Sequence, residues 1–168
     1  EREEMRENKR VLKYLSQARK LNLPKLDVDP HAVLATLGCP LYLSTNYDEL
    51  LIDALSEAGR PPQVHQTQWN VKDSVDEQLE SPSVAEPMVE QLFGSFNDKR
   101  TMVLTEDDYF EYMIGVTRLQ NRPQPSVIME RITDSGLMFL GFRIDSWQFR
   151  VLIHLLQSLQ GSKLRGFY

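Results

Sequence analysis

The spacing of apolar residues changes period repeatedly along the chain, and each change marks an element. Leu41, Tyr42 and Leu43 follow Pro40 as a short apolar run, which predicts a strand over residues 41–44. Downstream, Leu50, Leu51, Ala54, Leu55 and Ala58 recur at three- and four-residue spacing until Gly59, so a helix over 47–58 should follow that strand. Asp29 before Pro30 is a helix start, predicting a helix to Thr36 that Gly38 ends. Further strands are predicted over 63–66, over 88–92 ending at Phe93-Gly94, and over 102–104. The continuous apolar run 137–142 predicts a strand buried between helices on both faces. Helices are predicted after Thr105, over 126–134, and after Asp145. The first of these has Tyr109, Phe110, Met113 and Ile114 as its apolar stripe. The last buries Trp147, Val151, Leu152, Leu155, Leu156 and Leu159 and leaves His154 on its flank. Residues 68–87 are rich in Ser, Asp, Glu and Pro without periodicity and read as a loop. Strands alternating with helices, with no Asn-Gly or Asp-Gly hairpin signal, predict an α/β fold with a doubly wound parallel sheet.

Charge and composition narrow the classes of function. The 168 residues are 41% hydrophobic and 26% charged, enough for one domain with a core of its own. The longest apolar runs fall well short of the roughly 20 residues that span a bilayer, and no signal-peptide pattern is visible, so a cytoplasmic protein is expected. A net charge of −5 argues against a nucleic-acid surface, which needs clustered Lys and Arg. Residues 1–20 mix both signs around Val11, Leu12, Leu15 and Ala18, the pattern of an amphipathic helix with a solvated charged face. The single cysteine, Cys39, excludes an internal disulfide and reads as a packing residue.

The junction after the first strand carries the candidate chemistry. Ser44, Thr45, Asn46 and Asp48 stand where a strand gives way to a helix. In open α/β sheets this carboxyl edge is where ligands bind, because free N–H groups and the helix dipole favour anionic groups there. The same four residue types are ordinary helix caps, and both readings stay open on pattern alone. Thr105-Glu106-Asp107-Asp108 reads as a cap with acidic first-turn residues rather than a metal site. His65 is isolated in the sequence and reads as structural.

Four blocks, in order across residues 40–157, resemble the sirtuin-like NAD-binding domain of prokaryotic multidomain and antiphage defence proteins. Ser44-Thr45-Asn46-Tyr47-Asp48 corresponds to the family's Thr-Thr-Asn-Tyr-Asp. Gln91-Leu92-Phe93-Gly94 corresponds to a strand end His-Leu-Phe/His-Gly. Leu104-Thr105-Glu106-Asp107-Asp108-Tyr109 occurs verbatim, and Phe139-Leu140-Gly141-Phe142 with Asp145 matches the last block. Two features depart from the family: residues 1–40 contain no Gly-Ala-Gly turn, and Gln91 stands at the position taken for the catalytic His.

The resemblance implies a Rossmann-like α/β fold whose first βα unit is missing, and hence a chain that is a fragment. A helical segment over 1–38 would pack on a sirtuin-like domain over 39–168. It implies NAD+ as substrate, no metal, and cleavage of the bond between nicotinamide and ribose. Asn46 would hold the ribose or a water, Ser44, Thr45 and Asp48 would line the cofactor site, and Gly141 and Phe142 would lie near the adenosine half. Gln91 would sit where a base is needed. Imidazole exchanges protons at neutral pH, whereas a carboxamide only donates and accepts hydrogen bonds. The implied function is an NAD+-cleaving effector or, alternatively, a catalytically inactive nucleotide-binding or oligomerisation module. The implied partners are further copies of the chain or a partner such as an ATPase or sensor subunit, with no membrane and no direct nucleic acid.

Overall fold

The computed structural model describes residues 29–67, 79–120 and 127–160. The helix expected over 1–20 and most of the loop expected over 68–87 lie outside them. Within the described residues the chain divides into two compact units, one holding 29–67 with 82–102 and the other 79–81 with 103–160.

The first unit is an α/β arrangement built on three parallel strands. Helix α1 (Pro30–Thr36) leads to β1 (Leu41–Ser44), then α2 (Leu50–Glu57), β2 (Gln63–Gln66) and β3 (Met88–Gln91). The strand order is β1-β3-β2, both pairings are parallel, and the last rung aligns Ser44, Gln91 and Gln66. Central β3 is buried along its whole length, as a strand paired on both sides should be. The ends of the helices follow from local chemistry. Asp29 Oδ1 accepts from the His31 N–H at 2.9 Å with Pro30 in the first turn, and Gly38 leaves α1 at φ 64°, a conformation that costs glycine nothing.

Side-chain alternation along the strands selects one face as the core. Tyr42 and Val89 are register partners, and they pack with Ala35, Ala54 and Leu55, with Cys39, Leu51 and Ile52 at the margin. The Tyr42 hydroxyl donates to the Leu34 carbonyl at 3.1 Å. Arg60 clamps three chain segments: its guanidinium donates to the carbonyls of Ala35 (2.6 Å), Cys39 (2.9 Å) and Val84 (2.6 Å). Carbonyls at a helix end and in loops, which would otherwise lack donors, are thereby satisfied.

The second unit is helical: α3 (Glu106–Gln120), α4 (Val127–Asp134) and α5 (Trp147–Gln160). Tyr109, Tyr112, Ile128, Ile132, Leu152 and Leu156 are buried, and Tyr109 meets Trp147 edge-on at 4.6 Å. A capping box opens α3, with Asp108 Oδ2 accepting from the Thr105 N–H at 2.8 Å and Thr105 Oγ1 from the Asp108 N–H at 3.1 Å.

Several expectations are corrected here. The stripe of α3 is turned: Tyr109 and Tyr112 point inward, whereas Phe110 and Ile114 are exposed, so the i, i+3 pair rather than the wider stripe meets the core. Trp147, expected on the buried side of α5, is 39% exposed, with its ring packed against Tyr109. Residues 102–104 run extended out of a 3₁₀ turn (Lys99–Thr101) without joining the sheet. The largest correction is 137–142, which forms no strand. Met138 and Leu140 are 63% and 51% exposed. Phe139, Phe142 and Phe149 pack edge-on or tilted against one another, with ring centroids 5.4–6.2 Å apart. An apolar run signals a preference for burial, but a strand exists only where a partner ladder accepts its N–H groups.

Candidate functional site

The carboxyl rim of the sheet joins the loop after β1 to the loop after β3. The Leu92 N–H donates to the Ser44 carbonyl at 2.9 Å and the Phe96 N–H to the Tyr47 carbonyl at 3.0 Å. Tyr47 and Phe96 pack with ring centroids 5.7 Å apart, and the Asn97 carboxamide donates to the Glu49 carboxylate. Two loops distant in sequence are thus zipped into one surface above the strand ends.

On that surface the polar residues of the first junction take different tasks. Ser44 Oγ accepts from the Asn46 N–H at 3.2 Å, and Asp48 Oδ1 accepts from the Leu50 N–H at 3.1 Å. Both therefore serve as local turn and cap groups, the reading their residue types favour. Thr45 is half-buried and Asn46 exposed, and the Asn46 carboxamide makes no hydrogen bond to the described residues. It is held at the rim by its backbone while its side chain remains available.

Gln91 closes the site from beneath. It is 1% exposed; its Nε2 donates to the Asp48 carbonyl at 3.3 Å and its Oε1 accepts from Gln66 Nε2 at 3.2 Å. Immediately beyond, Gly94 takes φ 88°, and a Cβ there would lie 2.3 Å from the Thr101 carbonyl oxygen, so only glycine fits. Thr101 Oγ1 donates to the Asp98 carbonyl at 2.6 Å and accepts from the Ser95 N–H at 3.2 Å. The Arg100 guanidinium, bonded to the Asp98 carboxylate at 2.9 and 3.0 Å, holds that acid below the usual carboxylate range.

Ser44, Thr45, Asn46, Asp48 and Gln91 are therefore brought to one rim. Gly141 and Phe142 belong to the other unit: Gly141 has φ 76° with open space where a Cβ would stand, and Phe142 packs against Phe139 and Phe149.

Sequence reasoning missed a second polar cluster, and its view of His65 as isolated is corrected. Glu90, 2% exposed, accepts from His65 Nδ1 and from Thr67 Oγ1. His65 and Glu90 are register partners, a relation that single-sequence periodicity does not contain. The signal available was a buried-strand run, Met-Val-Glu-Gln, holding two polar residues that needed partners. Gln66, which donates to Gln91, was missed for the same reason. Among the described residues no three or more His, Cys, Asp or Glu side chains form a metal-binding group, and no helix is long and apolar enough to cross a membrane.

Comparison with known proteins identifies the family of most of the chain. Residues 40–168 match the family model of the SIR2-like domain. Over 82 residues the chain is 32% identical to the NAD(+) hydrolase ThsA of Enterococcus faecium, a stretch covering 49% of this chain and 16% of that protein. The shared stretch is thus a small part of that relative.

Proposed function

The chain belongs to the SIR2-like domain family, and on that premise we propose that it binds NAD+ at the carboxyl rim of the β1-β3-β2 sheet and releases nicotinamide from it. The observation that carries this reading is the exposed Asn46 carboxamide, held on a loop locked to β3 and making no hydrogen bond to the described residues. A group so placed meets a ribose hydroxyl or an attacking water without first breaking an internal bond. In the reaction the bond from the ribose anomeric carbon to the nicotinamide nitrogen breaks, nicotinamide leaves as a neutral ring, and water adds its oxygen to that carbon while releasing a proton. Support comes from the resemblance of 44–48 to the family motif and from the similarity to a relative that is an NAD(+) hydrolase.

The proton step limits the rate. The motif at the end of β3 carries His in its first or third position, and this chain has Gln91 and Phe93 there. Neither exchanges protons at neutral pH, and losing positioned acid–base help costs on the order of 10² to 10⁴ in rate. The domain accordingly binds NAD+ and turns it over slowly. A purely nucleotide-binding module is the second reading, favoured by the burial of Gln91 at 1% exposure. We further propose that the domain acts as an effector of antiphage defence, controlled by self-association or by an ATPase or sensor partner.

The test is nicotinamide release by the full-length protein. Slow release abolished by Asn46→Ala and accelerated by Gln91→His or Phe93→His supports the assignment. Release from the unaltered chain that ignores Asn46→Ala overturns it, and release from none of the four proteins leaves the nucleotide-binding module as the function.

A further inference from the structure

A line of side-chain hydrogen bonds crosses the rim beneath Asn46. Gln66 Nε2 donates to Gln91 Oε1 at 3.2 Å, and Gln91 Nε2 donates to the Asp48 carbonyl at 3.3 Å. The line runs from β2, over β3, to the turn that carries Asn46. From these contacts we propose that Gln66 is a positioning residue, which acts through Gln91 to hold the 45–48 turn and so fixes where the Asn46 carboxamide points. Its consequence for ligand binding rests on the assignment of the rim as the NAD+ site; its structural part does not.

Three observations carry the proposal. Gln91 is buried, so its amide exchanges no bonds with water, and an amide with both ends engaged has one preferred orientation. The strand register puts Gln66 directly beside Gln91, which makes the contact a property of the sheet rather than of a chance rotamer. The other face of β2 is pinned as well, because His65 and Thr67 flank Gln66 and both donate to Glu90. Gln66 is therefore held from both neighbours and presents its amide to Gln91 at low entropic cost. If the Gln66 donor is removed, the Gln91 amide is free to turn, and the Asp48 carbonyl loses its donor in half of the orientations. Asp48 lies two residues from Asn46, whose N–H is itself bound to Ser44 Oγ, so the turn would relax as a unit.

The test is two-dimensional amide NMR on the full chain, comparing the unaltered protein with Gln66→Met and Gln66→Glu. Methionine keeps length and volume while removing both polar atoms, and glutamate keeps the shape of the side chain while denying Gln91 its donor. In the unaltered protein the Gln91 side-chain NH2 should exchange slowly with solvent. In both variants it should exchange about fivefold to tenfold faster, the scale of one net hydrogen bond. The backbone amides of Asn46, Tyr47 and Asp48 should shift while those of Ala54 and Leu55 stay in place. NAD+ affinity, read by calorimetry, should fall by a similar factor. An unaltered protein whose Gln91 NH2 exchanges like a free amide overturns the proposal whether or not the variants fold. So does a folded variant with unchanged Asn46 and Asp48 amides. A protein that shows the amide response yet gives no heat with NAD+ upholds the role of Gln66 and overturns the ligand assignment instead.

Discussion

Two apolar runs in this chain end at a glycine with positive φ, and they have opposite fates. The run through Met88 and Val89 forms β3, with strands paired on both sides, and leads to Gly94 in the loop beyond it, where a backbone carbonyl lies 2.3 Å from where a Cβ would be. The run through Met138 and Leu140 ends at Gly141, largely exposed, with nothing within 4 Å of the equivalent position. The first run even carries two polar residues, Glu90 and Gln91, and is still the buried one; the difference is a ladder. β3 has β1 and β2 to receive its N–H and carbonyl groups, and among the described residues no strand receives those of 137–142. The glycine of the first run is required by close approach as well as by φ, that of the second by φ alone.

Glycine substitutions measure that contrast directly. Gly94→Ala adds the cost of a left-handed residue to that of overpacking, in sum roughly 2 to 5 kcal/mol, and calorimetric unfolding should show a large fall in Tm or no folded first unit. Gly141→Ala should cost about 1 to 2 kcal/mol, and comparable losses at the two positions would contradict the picture. Next in size is Arg60→Met, which strips donors from the carbonyls of Ala35, Cys39 and Val84. Hydrogen bonds to a charged group are worth about 1.5 to 3 kcal/mol, so denaturant unfolding of the first unit should shift by about that much, with no change at the α3 cap. Leu140→Ser, on the exposed run, should stay within about 0.5 kcal/mol; a severe loss would show that the run is buried in solution.

The smallest effect separates the units by pH. Backbone N–H groups of Thr105 and Leu104 hold the Asp108 carboxyl below its ordinary value. Its folded pKa lies under the unfolded one, so its stabilisation is complete above the unfolded value of about 3.9 and is lost as pH falls through the folded value. Amide shifts of Thr105 should follow that protonation in acid. An Asp108 that titrates at the ordinary value would contradict the capping geometry.

How much of this was legible in the sequence depends on whether a feature is local. α1, β1 and β2 fall where Asp29-Pro30, the run after Pro40 and the 63–66 segment put them, because caps, glycines and short apolar runs are written within a few residues. Ser44 and Asp48 proved to be turn and cap groups, as their types predict. What escaped was set by register: Gln66 beside Gln91, and Glu90 with His65 and Thr67, pair across about 25 residues of intervening chain. The strand expected over 137–142 failed for the same reason in reverse, since apolarity was visible and the missing partner was not. The α3 stripe was misjudged because Tyr109, Phe110, Met113 and Ile114 are all apolar, and only packing decides which of them turn inward.

The central claim is that the rim bearing Asn46 is where NAD+ binds. Calorimetric titration of the full-length protein with NAD+, repeated with Asn46→Ala, tests it most directly. The account predicts saturable binding by the unaltered chain, weakened at least about tenfold by the substitution, the cost of an unmet ligand hydrogen bond. Equal affinity in the two proteins would contradict it.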